Sequence, residues 1–146
     1  MEFDKENYDF PDINKCNVAI IGLGYVGLPL AISFSKTKKC FLTQKILDRQ
    51  VIGFDINSNR VNDLKEGFDK TNEISNEDLV SQKNLFFTDK SEDLLGVEVF
   101  IITVPTPIDK FKKPDLSSLK KVSKLVGSVV KLGKKEKLPI ILYEST

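Results

Sequence analysis

The chain contains no histidine and no tryptophan, and only two of its 146 residues are cysteine. Without histidine, neither a Ser-His-Asp nor a Cys-His catalytic centre can be built, and a histidine-based zinc site is excluded. Cys16 and Cys40 are too few for a disulfide framework and do not stand in a metal-ligand spacing. We therefore expect two unreactive free thiols and predict no metal site.

Neither sign of charge is in excess, since 22 basic residues face 21 acidic ones and the net charge is +1. This balance gives no electrostatic reason for a nucleic-acid partner, and the local basic runs Lys110–Lys113 and Lys131–Lys137 are interpreted as solvated turns and helix ends. No stretch approaches the roughly 20 apolar residues of a membrane helix. The N-terminus is acidic and polar, unlike a signal peptide. We expect a cytoplasmic protein without a membrane partner.

Residues 17–27 combine an apolar run with three glycines at the spacing of a dinucleotide-binding turn, Asn-Val-Ala-Ile-Ile-Gly-Leu-Gly-Tyr-Val-Gly. Gly22 lets the backbone turn out of a strand, Gly24 lets it approach a pyrophosphate, and Gly27 lets the next helix pack closely on the sheet. Three glycines also occur in turns that bind nothing. Here, however, they follow a β-type run and precede a helical stretch from Val26 to about Lys36, where a pyrophosphate would meet the helix N-terminus.

A second apolar run, residues 50–55, ends in Asp55, where a Rossmann sheet places the acid that binds the adenosine ribose. Asp55 lies 28 positions after Gly27 (55 − 27), whereas the fingerprint usually reaches its acid within about 20 residues. We therefore predict an insertion at residues 36–49, forming a helical turn or a surface loop. The alternative interpretation is that Asp55 is a plain carboxylate at a strand end or turn and binds no ligand.

Arg60 follows that acid by five positions and is a candidate contact to the ribose or the adenine. It could also receive the extra phosphate of NADP, or it is simply a solvated helix residue. Because the carboxylate of Asp55 would repel that phosphate, the predicted cofactor is NAD.

The remaining chain alternates helical and extended segments, as is typical of βαβ units and a parallel sheet with helices on both faces. We predict an α/β fold, a Rossmann-type doubly wound parallel sheet of five to six strands. A single domain is expected over residues 16–146, after an N-terminal extension over residues 1–15. Strands are predicted over residues 18–21, 50–55, 85–88, 97–104 and 138–143, and helices over residues 26–36, 57–66, 75–82 and 116–131.

Two strand ends are candidate walls of a cofactor crevice, because open parallel sheets bind ligands beyond the carboxyl ends of their strands. The predicted fourth strand ends in Val104-Pro-Thr-Pro-Ile108, and the fifth in Glu144-Ser-Thr146. The Pro-Thr-Pro turn is stiff and offers one hydroxyl with few N–H groups, which suits a wall beside a ribose or nicotinamide. It is equally compatible with a rigid turn that only leads the chain out of the sheet.

Four motifs occur in order along the chain: Ile20-Ile-Gly-Leu-Gly-Tyr-Val-Gly-Leu-Pro-Leu30, Gly53-Phe-Asp-Ile-Asn57 with Arg60, Ile102-Thr-Val-Pro-Thr-Pro-Ile108, and Tyr143-Glu-Ser-Thr146. Together they resemble the UDP-glucose/GDP-mannose dehydrogenase family over about residues 16–146. Within it, the chain is most similar to the UDP-GlcNAc or UDP-GalNAc 6-dehydrogenases of capsule and O-antigen synthesis. This finer resemblance includes Lys113-Pro-Asp-Leu116.

The resemblance implies an NAD-dependent oxidation of a sugar C6 alcohol to a carboxylate, in two steps that reduce two NAD. The residues implied to bind the cofactor are Gly22, Leu23, Gly24, Tyr25, Val26, Gly27, Asp55, Arg60, Val104, Pro105, Thr106 and Thr146. The loop over residues 23–27 would hold the pyrophosphate, Asp55 and Arg60 the adenosine ribose, and Thr106 the nicotinamide-side ribose. Thr146 is the implied catalytic residue, which would position the water or a substrate oxygen.

In the resembled family, the catalytic thiol, its lysine and asparagine helpers and the UDP-sugar-binding domain belong to later domains. We therefore expect a fragment truncated after the fifth strand, with exposed sheet edge and no turnover alone. Binding of the UDP-sugar substrate and assembly into a homo-oligomer are expected of the full-length protein. Two other hypotheses are a stand-alone NAD-binding or redox-sensing module and an inactive truncated gene product.

Overall fold

The chain alternates strands and helices through residues 9–133 and 137–144, which are the residues that this computed structural model describes. Its elements are β1 (Val18–Ile21), α1 (Gly27–Lys36), β2 (Val51–Phe54), α2 (Ser58–Lys65), α3 (Asn76–Val80), β3 (Leu85–Thr88), a 3₁₀ turn (Ser91–Leu94), β4 (Val99–Ile102), α4 (Ser117–Leu132) and β5 (Ile140–Tyr143). The strands form one parallel sheet in the order β3-β2-β1-β4-β5. The predicted Rossmann-type sheet is confirmed.

Both faces of the sheet are buried under helices at its centre, and the side chains of β1 alternate between two hydrophobic clusters. Val18 and Ile20 pack with apolar residues of α1, α2 and α3. Ala19 and Ile21 point to the opposite face and pack with residues of α4 and the 3₁₀ turn. Strands covered on both faces read as continuous apolar runs, which is why the sequence located them well.

The strand order reverses between β1 and β4, and this switch point fixes where a ligand can bind. Ile21, the last residue of β1, pairs with Phe54 of β2 on one side and with Ile102 of β4 on the other. The residues that follow these three strands therefore meet at one edge of the sheet. They include the glycine turn and Asp55.

Side-chain capping sets the starts of two helices, each one residue after the start predicted from the sequence. The Asn57 side chain accepts hydrogen bonds from the backbone N–H groups of Asn59 and Arg60, and it begins α2. The Ser75 side chain accepts from the N–H of Asp78 and begins α3. These contacts satisfy amide groups that have no partner within the helix. The 3₁₀ turn before β4 was not predicted, and β4 is shorter than the apolar run that contains it.

The predicted insertion, residues 36–49, is a short hairpin-like loop rather than a helical turn. The N–H of Cys40 donates to the Lys45 carbonyl at 2.9 Å, and the Thr43 hydroxyl donates to the Asn14 side chain at 2.6 Å. Because the loop joins the end of α1 to the start of β2, it lies at the amino end of the sheet. The extra residues therefore lengthen the sequence spacing to Asp55 without displacing that residue.

The last strand leaves apolar side chains exposed. The exposed fractions of Ile141, Leu142 and Tyr143 are 39%, 47% and 54%. Ahead of this strand, the N–H of Leu138 donates to the carbonyl of Asp9 at 3.2 Å, so part of the predicted N-terminal extension contacts the sheet region. None of the helices in the described ranges has the length and hydropathy that crossing a membrane would require.

Gly53 provides a test of the packing of β2 against Phe87 of β3 and Leu23 of the glycine turn. A Cβ atom at this position would lie 2.8 Å from Cδ1 of Phe87 and 3.1 Å from Cδ2 of Leu23. We expect Gly53→Ala to lower the free energy of unfolding by about 1–3 kcal/mol, the usual cost of overpacking. The control is Gly127→Ala in α4, where no atom lies within 4 Å of the added Cβ. Because alanine has a higher helix propensity than glycine, Gly127→Ala should raise the free energy of unfolding by about 0.5–1 kcal/mol. Urea unfolding followed by circular dichroism measures both, and equal effects would contradict this packing.

Candidate functional site

The glycine turn after β1 is held in a shape that only glycine permits at two positions. Gly22 has φ of +100°, a region that residues with a Cβ rarely adopt. A Cβ atom at Gly27 would lie 1.7 Å from the carbonyl oxygen of Gly22 and 2.5 Å from the Thr103 hydroxyl. Helix α1 therefore packs directly against the backbone at the end of β1, as the motif predicts.

The middle of the same turn is open. No atom lies within 4 Å of a Cβ built at Gly24. Tyr25 and Val26 are 71% and 47% exposed, whereas Leu23 is fully buried and anchors the loop. No side chain caps the N-terminus of α1 at Val26. The N–H of Leu28 donates to the carbonyl of Gly24 at 3.1 Å, and Pro29 has no N–H. The open approach at Gly24 and the uncapped, positive end of the α1 dipole are therefore what fits a pyrophosphate here.

Asp55 lies at the end of β2 beside this turn and is half-buried. Its Oδ2 accepts a hydrogen bond from the N–H of Leu23 at 2.8 Å, and its Oδ1 accepts from the N–H of Asn57 at 2.9 Å. Each carboxylate oxygen keeps a further lone pair, so the group can still accept hydrogen bonds from ribose hydroxyls. The structure brings Asp55 and the glycine turn together, where the sequence analysis expected them.

Arg60 is also adjacent to the turn, but its guanidinium is bound within the protein. Nε donates to the carbonyl of Leu23 at 3.0 Å, and Nη1 lies 2.7 Å from Oδ1 of Asp69. Nη2 donates to the hydroxyl of Thr71 at 3.4 Å. The side chain is only 10% exposed. Arg60 therefore connects the turn to residues 69–71. The sequence left open a contact to the ribose or the adenine, a contact to the phosphate of NADP, or a solvated helix residue; the side chain is not solvated, and its cofactor contact stays a prediction.

Asp69, which the sequence analysis missed, is the anion that holds Arg60. It is buried, with 5% of the residue exposed. Its carboxylate accepts hydrogen bonds from the N–H and hydroxyl of Thr71 and from the N–H groups of Glu73 and Ile74, at 2.7–3.0 Å. Burial raises the pKa of this carboxyl, but the hydrogen bonds from Thr71, Arg60 and the backbone outweigh that effect and lower the pKa from 3.8 to about 2. The Asp-Lys-Thr spacing, typical of a turn closed by an aspartate, was its only sequence signal.

Thr103 is a second residue that the sequence analysis missed. Its hydroxyl lies 2.7 Å from the Gly22 carbonyl oxygen and 3.1 Å from that of Ile21, and it donates its proton to this pair of acceptors. Thr103 is buried, with 8% exposed, directly after β4. The hydroxyl therefore ties the end of β4 to the start of the glycine turn. A threonine within an apolar strand run gave no sign of this contact.

The Pro-Thr-Pro segment leaves the sheet beside the turn. Val104 is buried, and its Cγ1 would lie 3.1 Å from a Cβ at Gly22. Pro105 is exposed and Thr106 is half-buried. The segment therefore borders the space in front of the glycine turn. Thr146, the implied catalytic residue, lies outside the described residues.

Both cysteines lie away from this space. Cys16 is buried ahead of β1, and Cys40 is buried in the hairpin-like loop at the amino end of the sheet. Burial raises the pKa of the Cys16 thiol. A hydrogen bond from Thr43 lowers the pKa of the Cys40 thiol. Within the part of the chain that the structure describes, no three cysteine or acidic side chains converge as metal ligands.

The glycine turn, the acid after β2 and the strand order with its switch point define a dinucleotide-binding Rossmann domain. A model of the UDP-glucose/GDP-mannose dehydrogenase family, NAD binding domain, matches residues 16–146. The chain belongs to this family, and NAD is the cofactor of the domain.

Similar proteins agree with this assignment. The chain is 46% identical over 129 residues to UDP-N-acetyl-D-glucosamine 6-dehydrogenase of Pseudomonas aeruginosa, covering 88% of this chain and 27% of that protein. It is 44% identical over 134 residues to the enzyme of the same name from Salmonella typhi, covering 92% and 28%. Protein CapL of Staphylococcus aureus is 44% identical over 130 residues, covering 89% and 27%. The chain thus spans little more than a quarter of the length of these relatives.

Solved structures show the same fold. The UDP-D-ManNAc dehydrogenase of Pyrococcus horikoshii superposes with a TM-score of 0.71 at 33% identity, covering 89% of this chain and 28% of that one. A ternary complex of GDP-mannose dehydrogenase from Pseudomonas aeruginosa gives a TM-score of 0.73 at 26% identity, covering 88% and 28%. Each superposition covers little more than a quarter of the larger chain.

Substitutions at two glycines of the turn distinguish an effect on stability from an effect on NAD binding. Gly27→Ala forces a Cβ into the Gly22 carbonyl, so we expect it to cost about 3 kcal/mol of stability. Gly24→Ala meets no atom within 4 Å, so its stability should change by no more than about 0.5 kcal/mol. The same methyl group would occupy the approach of the pyrophosphate, and we expect NAD affinity to fall at least about tenfold. Thermal unfolding and calorimetric titration measure the two effects. Wild-type NAD affinity in Gly24→Ala would show that the pyrophosphate does not bind there.

The lowered pKa of Asp69 predicts a specific acid sensitivity. A drop from 3.8 to about 2 corresponds to about 2 kcal/mol of stability. Because the folded-state pKa is the lower one, this contribution is complete above about pH 4 and disappears as the pH falls towards 2. Urea unfolding of the wild type and Asp69→Asn between pH 2 and pH 6 should give a stability gap that closes on acidification. A gap that is independent of pH would contradict the assignment.

Proposed function

We propose that this chain is the NAD-binding part of a nucleotide-sugar 6-dehydrogenase that oxidises a UDP-N-acetylhexosamine for surface polysaccharide synthesis. The similarity to two UDP-N-acetyl-D-glucosamine 6-dehydrogenases, at 46% and 44% identity, carries this proposal. The UDP-N-acetyl-D-mannosamine dehydrogenases of Pyrococcus horikoshii and Escherichia coli are less similar, at 33% and 29%. UDP-GlcNAc is accordingly the first substrate to test.

The proposed reaction converts the C6 alcohol of the sugar, with one water and two NAD, into a carboxylate, two NADH and three protons. The bound NAD supplies the hydride acceptor. In this proposal, the turn over residues 22–27 holds the pyrophosphate, and Asp55 accepts hydrogen bonds from the adenosine ribose. Val104, Pro105 and Thr106 form the wall beside the nicotinamide-side ribose, and Thr146 positions water or a substrate oxygen. The openness at Gly24 and the absence of a side-chain cap on α1 support the pyrophosphate site.

Because this chain covers only part of the length of its relatives, the proposal assigns it only part of the reaction. Since it spans 27–28% of the two UDP-N-acetyl-D-glucosamine 6-dehydrogenases, sugar binding, the catalytic thiol and assembly into a homo-oligomer are assigned to the whole protein. Neither Cys16 nor Cys40 adjoins the glycine turn, which supports a thiol supplied from elsewhere. We expect this chain alone to bind NAD without oxidising UDP-sugars.

A chimeric enzyme tests the proposal directly. The matching 129-residue region of the Pseudomonas aeruginosa UDP-N-acetyl-D-glucosamine 6-dehydrogenase is replaced by this chain, and NADH formation from UDP-GlcNAc is followed by absorbance. We expect turnover, because at 46% identity the surface that meets the remaining domains should be largely kept. A parallel chimera in the Escherichia coli UDP-N-acetyl-D-mannosamine dehydrogenase should be at least about tenfold less active on its own substrate, relative to its parent enzyme.

Asp55→Ala in the active chimera provides the matched control for the cofactor site. It removes the carboxylate beside the turn, so we expect KM for NAD to rise at least about tenfold, a change of about 1.4 kcal/mol. The KM for UDP-GlcNAc should change little. A folded Pseudomonas chimera without NAD-dependent turnover, or one less active than the Escherichia coli chimera, would contradict the proposal.

A further inference from the structure

One peptide unit of the glycine turn, the one that joins Gly22 to Leu23, is hydrogen-bonded at both of its ends. Its carbonyl oxygen accepts from the Thr103 hydroxyl at 2.7 Å, and its N–H donates to Oδ2 of Asp55 at 2.8 Å. Because a trans peptide directs its C=O and its N–H in opposite directions, the two partners lie on opposite sides of the turn. They follow the two strands that flank β1, since Thr103 comes after β4 and Asp55 comes after β2.

The orientation of this peptide depends on its hydrogen bonds. Gly22 has φ of +100° and no Cβ atom, so sterics restrict the rotation of the peptide that follows it only weakly. The Thr103 hydroxyl lies closer to the carbonyl oxygen of Gly22 than to that of Ile21. The Ile21 oxygen already accepts from the N–H of Thr103 at 2.9 Å. The hydroxyl proton is thus directed mainly at Gly22, and it holds the carbonyl end of the peptide.

The Asp55 carboxylate is held by the other end of the same peptide. Its Oδ2 is bound by the N–H of Leu23 and its Oδ1 by the N–H of Asn57, so these two contacts set the plane of the carboxylate. Successive hydrogen bonds polarise one another, and donation to the carbonyl therefore strengthens donation by the N–H. An acid at this place in a Rossmann fold binds the 2′-hydroxyl of the adenosine ribose. The direction of its free lone pairs decides how well it does so.

We propose that Thr103 is a positioning residue that orients the Asp55 carboxylate for the adenosine ribose through the peptide between Gly22 and Leu23. The inference rests on the cofactor site proposed above, in which Asp55 accepts hydrogen bonds from that ribose. It is independent of which sugar the whole enzyme oxidises. Thr103 is buried, with 8% exposed, and it acts on the cofactor only through this peptide.

The comparison of Thr103→Ala with Thr103→Ser isolates the hydroxyl, because both variants lose the γ-methyl group and only serine keeps the donor. The purified chain and its variants are titrated by calorimetry with NAD and with the NAD analogue that lacks the 2′-hydroxyl of the adenosine ribose. In the wild type and Thr103→Ser, we expect the analogue to bind about tenfold more weakly than NAD. In Thr103→Ala, this ratio of Kd values should fall to about twofold. A purely structural role would weaken both ligands by the same factor and would leave the ratio unchanged.

Two further sets of variants locate the effect. In the Asp55→Ala background, Thr103→Ala and Thr103→Ser should bind NAD with Kd values within about twofold of each other, because the carboxylate on which the hydroxyl acts is absent. Ser35→Ala removes another buried hydroxyl, one that donates to the carbonyl of Ile32 at 2.8 Å, and it should leave the ratio at the wild-type value. A difference between alanine and serine that persists without Asp55 would assign the effect to the rest of the turn and would overturn the inference.

Thr103→Val replaces Thr103→Ala in both tests where the alanine variant does not fold, as judged by circular dichroism. It keeps the shape of the side chain and removes the donor, so the same fall of the ratio is expected. The inference is overturned if folded variants with and without the hydroxyl give the same ratio, or if the folded wild type does not prefer NAD to the analogue. Failure of the chimeric enzyme to oxidise UDP-GlcNAc would concern the sugar assignment alone.

Discussion

The contact between Gly27 and the carbonyl oxygen of Gly22 sets the geometry on which the site depends. Because a Cβ atom at Gly27 would lie 1.7 Å from that oxygen, helix α1 approaches the end of β1 as closely as a backbone permits. This approach directs the N-terminus of the helix at the space beyond the sheet. The Thr103 hydroxyl donates to the same carbonyl at 2.7 Å. A single backbone oxygen thereby links the first strand, the first helix and the fourth strand.

The other side of the glycine turn is held by charged groups instead of close packing. Leu23 donates its N–H to Asp55 and accepts from Arg60 through its carbonyl, and Arg60 is in turn held by the buried Asp69. Buried ion pairs contribute little net stability compared with apolar packing, but breaking one is costly. The pairing is therefore better suited to fixing one conformation of the turn than to raising stability. Through Arg60, Asp69 thus helps to fix the conformation of the glycine turn, although it lies more than 40 positions after Leu23 in the sequence.

The fold was predictable from the sequence because its signals are local. Apolar runs marked the strands, and the helices predicted over residues 57–66 and 75–82 start at Asn57 and Ser75, the residues that cap α2 and α3 in the structure. The direction of the Arg60 side chain was not predictable, because its partner lies in the segment between α2 and α3 and meets it only after the chain has folded. Thr103 was hidden for a related reason. Nothing within an apolar strand run distinguishes a packed threonine from one whose hydroxyl supports a neighbouring turn.

The loop at residues 36–49 shows why sequence spacing alone was an incomplete guide. The loop reverses direction at Gln44, which has φ of +57°. Because this position is not a glycine, nothing in the sequence signalled the turn. The loop lies at the amino end of the sheet, whereas the position of Asp55 is set by the parallel register that pairs Val18 with Val51 and Ile21 with Phe54. Residues added before that register begins cannot move the acid relative to the glycine turn. What the cofactor site requires is therefore alignment of the strand ends, and this alignment is compatible with a range of spacings along the chain.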